Sequence, residues 1–96
     1  MITIIHGPMA SGKTFHKQAF AKKFDCTHIV DGWNPQTDEV PADRRLLLTT
    51  AEPHEIRDAI RMDRPSAQVR VIDIKTARSL IGVAHYAPGR TQRASL

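Results

Sequence analysis

Residues 2–14 read ITIIHGPMASGKT, and this stretch decides the fold. Its first residues are apolar and mostly β-branched, a short run stopped by a glycine, which predicts a buried strand. Then comes Gly7-x-x-x-x-Gly12-Lys13-Thr14. Gly7 lets the chain leave a strand in a tight turn. Gly12 lets backbone N–H groups point inward with no side chain in the way. A helical pattern follows, so the loop would also receive the partial positive charge of a helix start.

That spacing suits a polyphosphate. Residues Gly7, Pro8, Met9, Ala10, Ser11, Gly12, Lys13 and Thr14 form the expected phosphate-binding loop. Lys13 would reach the β- and γ-phosphates, and the Thr14 hydroxyl would ligate Mg²⁺. The expected ligands are therefore a nucleoside triphosphate, ATP or GTP, and Mg²⁺.

Outward from the loop, the blocks alternate as β-α-β-β-α-β. Residues 13–24 place Phe15, Ala19, Phe20 and Phe24 at spacings that suggest one helix face packed on a sheet. Residues 27–30 form a second strand, ended by Asp31-Gly32. Residues 31–44, DGWNPQTDEVPADR, are rich in turn formers and read as a surface loop, functional or mobile. Residues 45–50, RLLLTT, form a third strand whose three leucines predict a central position buried on both faces. Pro53 suits the first turn of a second helix with Ile56, Ala59 and Ile60 as its stripe, stopped by Pro65. Residues 69–74 form a fourth strand, interrupted by Arg70 and Asp73 and so placed at a sheet edge. A short helix is expected over residues 76–84. A single domain then spans residues 1–89, with a flexible basic tail over 90–96.

A phosphate site of this kind needs a carboxylate at a strand end to hold the metal. Asp31 closes the apolar run THIVD and is the first candidate, for metal and catalysis together; an Asp-Gly turn would put it there with no function. Glu52, after the third strand, could orient an attacking water or simply favour a helix start. Asp73 competes but belongs to the edge. Trp33 would stack on a base or plug the loop into the core. Arg57, Arg61 and Arg64 read as a lid, an arginine finger or a solvated face.

The strand–loop–helix motif of residues 1–24 resembles the P-loop NTPase superfamily. The acid-ended THIVD followed by the polar-ended RLLLTT is similar to the acid-bearing and sensor strands of the additional-strand ATPases, the group of AAA+ proteins and helicases. The resemblance implies a minimal three-layer α/β P-loop fold with a mostly parallel sheet of about four strands. It implies the order fourth, first, third, second, with Thr49 or Thr50 near the γ-phosphate. The departures are a missing strand before the acid, no Asp-Glu pair and no helical lid.

Totals set the outer limits. With 96 residues, 41% of them hydrophobic, the chain supports one modest core. A formal charge of +4 suits phosphates and leaves nucleic acid open as a partner, although no aromatic interleaving supports base stacking. One cysteine excludes an internal disulfide framework, and the five histidines show no zinc spacing. With no signal peptide and no membrane-length apolar run, a cytoplasmic protein is expected. Three functions stay open: an Mg²⁺-dependent NTP-binding protein with slow hydrolysis, a small-molecule or nucleotide kinase, and a non-catalytic interaction module with a structural or vestigial nucleotide site; a protein partner or a homo-oligomer is open for each.

Overall fold

In the computed structural model, which describes residues 1–8, 12–41 and 43–82, the apolar run beginning at Ile2 becomes an inner strand. The elements follow in the order β1 (Ile2–His6), α1 (Lys17–Lys23), β2 (His28–Asp31), β3 (Arg45–Thr49), α2 (Pro53–Asp63), β4 (Val69–Asp73) and α3 (Ile74–Leu80). The four strands form one all-parallel sheet ordered β2-β3-β1-β4. This is the order expected, with the leucine-rich strand inside and β4 at an edge.

Register explains the burial. Ile4 lies beside Leu47 on one side and Val71 on the other, and Ile5 beside Leu48 and Ile72. Successive side chains on a strand point to opposite faces, so two cores form. On one face Ile5, Leu46 and Leu48 pack against Phe20 and Ala21 of α1 and Ile74 and Ala77 of α3. On the other, Ile2, Ile4 and Leu47 pack against Ile56 of α2 together with Trp33 and Val40. Three layers result. Each buried Ile or Leu contributes roughly 1.5–3 kcal/mol.

Trp33 and Val40 belong to the connection between β2 and β3, which does the work of a missing helix. Trp33 is only 3% exposed. Its indole N–H donates to the Glu39 carbonyl at 3.0 Å. The Val40 N–H donates to the Asp63 carboxylate of α2 at 2.6 Å. Asn34 organises the turn between them, accepting from Thr37 and Asp38 through its carbonyl and from Gln36 N–H through its side chain. The expected surface loop is thus partly a core cover.

Several boundaries differ from expectation: β2 runs His28–Asp31 rather than 27–30, β3 ends at Thr49 rather than at 50, and three further ends have a local cause. Residues 13–16 form turns and α1 begins at Lys17. Phe15 is therefore 63% exposed and Ala19 is exposed, leaving Phe20, Ala21 and the partly buried Phe24 as the true stripe. A helical period fits Phe15 only if the helix reaches back to it. The fourth strand ends at Asp73, because that side chain accepts from Thr76 N–H at 2.9 Å and caps α3. α3 accordingly runs Ile74–Leu80, earlier than expected. The end of the expected helix and the basic tail lie outside the described residues. Among the described residues, no helix is long and apolar enough to cross a membrane.

This packing predicts that Leu47→Ala lowers unfolding free energy by about 2–5 kcal/mol. Phe15→Ala, outside both cores, costs less than about 1 kcal/mol. Urea unfolding of the two variants checks the contrast. Equal losses would place Phe15 in the core after all.

Candidate functional site

In a parallel sheet the carboxyl ends of all strands lie along one rim, where ligands of open α/β folds bind. Here that rim carries His6, Asp31, Thr49 and Asp73. The Gly7 N–H donates to the Thr49 carbonyl at 3.2 Å, extending the β1–β3 pairing by one residue before the chain turns away. Met9, Ala10 and Ser11, the middle of the expected phosphate loop, lie outside the described residues. Gly12 has φ +95°, a conformation that favours glycine. The His16 N–H then bonds the Gly12 carbonyl at 3.0 Å, so a helical turn starts directly behind the loop.

From that turn Lys13 reaches back to the residues that follow β1. Its ammonium donates to the carbonyls of Gly7 and Pro8, both at 2.7 Å. The side chain is buried. Burial pushes the Lys13 pKa down, and the Asp31 charge pulls it partly back.

Thr14 points the other way. Its hydroxyl donates to the Asp31 carboxylate, at 2.9 Å to Oδ2 and 3.1 Å to Oδ1. The Lys17 ammonium stands 3.9 Å from Oδ2, an exposed pair that contributes little energy. The two expected metal-holding residues therefore meet, although Thr14 precedes the first helix and Asp31 ends β2. A hydroxyl that gives its proton to a carboxylate keeps its lone pairs for a cation. Both groups offer hard oxygen donors, the type Mg²⁺ selects. Among the described residues no group of three or more His, Cys, Asp or Glu side chains gathers as a metal site. A divalent cation here would complete its shell from phosphate oxygens and water.

These groups line one cleft of about 590 Å³. One part is formed by Gly12, Lys13, Thr14, Asp31, Thr49 and Thr50. The cleft continues past Phe15 and Trp33 to Asn34, Pro35, Gln36 and Glu55. Both threonines at the end of β3 thus reach the site. The Thr49 hydroxyl also accepts from Ala51 N–H at 3.1 Å, shaping the exit from the strand.

The other sequence candidates separate. Glu52 is the N-cap of α2, in a capping box with Glu55, and is not among the residues lining the cleft. Glu55 lines it instead, with one carboxylate oxygen accepting from Glu52 N–H at 2.9 Å and the other from the Gln36 amide at 3.1 Å. Sequence reading missed Glu55, Gln36 and Lys17. The Glu52-x-x-Glu55 spacing was the available signal for the first. Asp73 is committed to capping α3. Trp33 is the core plug described above, with its edge on the cleft. Arg57 and Arg61 line a separate groove beside β4. Cys26 packs against the α1 side, and burial pushes its thiol pKa up.

No family model, curated protein or solved structure matches this chain.

The Asp73 cap has a sign-definite pH dependence. The Thr76 N–H bond holds the Asp73 carboxyl below the usual aspartate range. Its stabilisation is therefore present above the unfolded-state value and lost as pH falls through the lowered native one. Asp73→Ala should cost about 1 kcal/mol at neutral pH, with the gap closing in acid. Thermal melts of both proteins from pH 7 downward test this. A gap independent of pH would remove the cap's charge from the explanation.

Proposed function

We propose that this chain binds a nucleoside triphosphate, ATP or GTP, with Mg²⁺ on the loop of residues 7–14, and hydrolyses it slowly. The observation that carries the proposal is the meeting of Lys13, Thr14 and Asp31 in one cleft at the carboxyl ends of the strands. The P-loop motif supplies the residue types. The fold puts the acid 2.9 Å from the hydroxyl that the motif assigns to the metal.

Each residue has a defined task. Lys13 exchanges its two carbonyl partners for phosphate oxygens. Loop N–H groups and Gly12 let phosphate approach the backbone. Thr14 and Asp31 hold the cation. Bound Mg²⁺ would neutralise charge developing on the phosphates. Thr49 and Thr50 face the same space and can position water. Glu55 is the cleft carboxylate on the side away from Asp31, and both its oxygens already accept hydrogen bonds, so it orients a water only by giving one of them up. Slow turnover follows from that arrangement. The single cysteine suits a reducing, cytoplasmic setting.

A second reading, transfer of the phosphoryl group to a small acceptor, draws on the part of the cleft beyond Asp31 that Asn34, Pro35, Gln36 and Glu55 line. Product analysis separates the two. Free phosphate without an added acceptor marks hydrolysis, and acceptor-dependent ADP marks transfer.

Calorimetry with ATP and GTP tests binding itself. The expected result is saturable, Mg²⁺-dependent binding that Lys13→Ala weakens at least about tenfold, the loss of one charge-assisted contact. Absence of binding by the wild type at millimolar nucleotide would overturn the proposal.

A further inference from the structure

A second concavity lies on the edge of the sheet, apart from the cleft. It has a volume of about 370 Å³ and runs between α2 and β4. Ile60, Ala67, Val69 and Val71 give it a half-buried apolar floor, and Arg57 and Arg61 form its rim. Among the described residues no carboxylate pairs with Arg57. Arg61 meets only Asp58, at 3.2 Å on the exposed helix surface, a pair that is easily exchanged.

Among the described residues the strand under this groove is an open edge. β4 pairs with β1 alone, and no strand of the described residues covers its other side. The Gln68 carbonyl accepts from Ile2 N–H at 2.9 Å, so Gln68 faces β1. Backbone direction alternates along a strand, which turns the N–H and C=O groups of Val69 and Val71 outward. The same two residues supply the groove floor. Edge strands are commonly guarded by charge. Of the two charged residues of β4, Asp73 ends the strand and caps α3, and the Arg70 guanidinium lies on the opposite face, 5.1 Å from the Phe24 ring centre.

The geometry points to a docking surface for an extended segment of a partner protein that adds to β4 as a fifth strand, its residues on the α2 side (every second position) being apolar and acidic in turn. The open backbone gives the pairing, the valines take the apolar side chains, and Arg57 and Arg61 take the acidic ones. Charge argues against the chain's own end as the occupant, since residues 83–96 carry Arg90 and Arg93 and no acid. The apolar floor, without an aromatic ring, argues for peptide over nucleic acid. The surface is independent of the nucleotide proposal. α2 nevertheless spans both sites, carrying Glu55 at the cleft and Arg57 and Arg61 at the groove.

The test uses the full chain and two short acetylated peptides, one carrying valine and glutamate in turn at every second position with serine between them, and one with lysine in place of the glutamate. Binding is followed by fluorescence anisotropy and by backbone amide shifts. The glutamate peptide should bind saturably and shift the amides of Val69 and Val71. The doubly reversed variant Arg57→Glu/Arg61→Glu should weaken it roughly tenfold. Its exposed positions should leave the thermal melt unchanged. Val71→Pro, whose lost N–H faces outward, should abolish binding while keeping the β1 pairing. The proposal fails if the lysine peptide binds equally, if the charge-reversed variant binds as well as wild type, or if the shifts fall at the cleft. It also fails if a single-stranded oligonucleotide or a second copy of the chain takes the groove in preference to the peptide.

Discussion

An all-parallel sheet must be covered on both faces, because its strands bury side chains above and below. That constraint governs everything else in this small protein. α1 and α3 cover one face with Phe20, Ala21, Ile74 and Ala77. On the other face α2 alone is too narrow, and the connection between β2 and β3 completes the layer through Trp33 and Val40. The bond from Val40 N–H to Asp63 ties that connection to α2. A segment that looks like a surface loop is therefore fixed at both its indole and its far end.

The site depends on this economy. β3 lies between β1 and β2, so Asp31 stands one strand removed from the strand that leads into the glycine-lysine motif of residues 7–14. Thr14 bridges that gap by reaching Asp31. The pinned connection then supplies the far wall of the cleft through Asn34, Pro35 and Gln36, joined to α2 by the Gln36–Glu55 bond. Core cover and cleft wall come from the same connection, with Trp33 in both, which is how a short chain encloses a polar cleft at all.

Much of this was legible in the sequence. The strands were marked by apolar runs, and the three leucines of β3 gave its inner place, since no exposed strand tolerates them in succession. Asp31 was legible because an acid ended an apolar strand. The misread parts are those that local pattern does not determine. α1 and α3 are each seven residues long, about two turns, and so short a helix has no independent stability to impose its period. Phe15 fitted a stripe that the helix does not reach. Asp73 looked like a flaw in a strand, and only its bond to Thr76 shows it to be a cap. Glu55 became a cleft residue because Gln36, far away in sequence, comes to meet it.

The central claim is that Thr14 and Asp31 act as one unit in holding a metal-bound nucleotide. A double-mutant cycle measures that directly, with Thr14→Val, Asp31→Asn and the double variant assayed for ATP affinity at saturating Mg²⁺. The account predicts strong non-additivity: the double variant should bind about as weakly as the weaker single one, with a coupling of roughly 0.5–3 kcal/mol between contacting residues. Losses that simply add would mean that the two side chains touch without sharing a task.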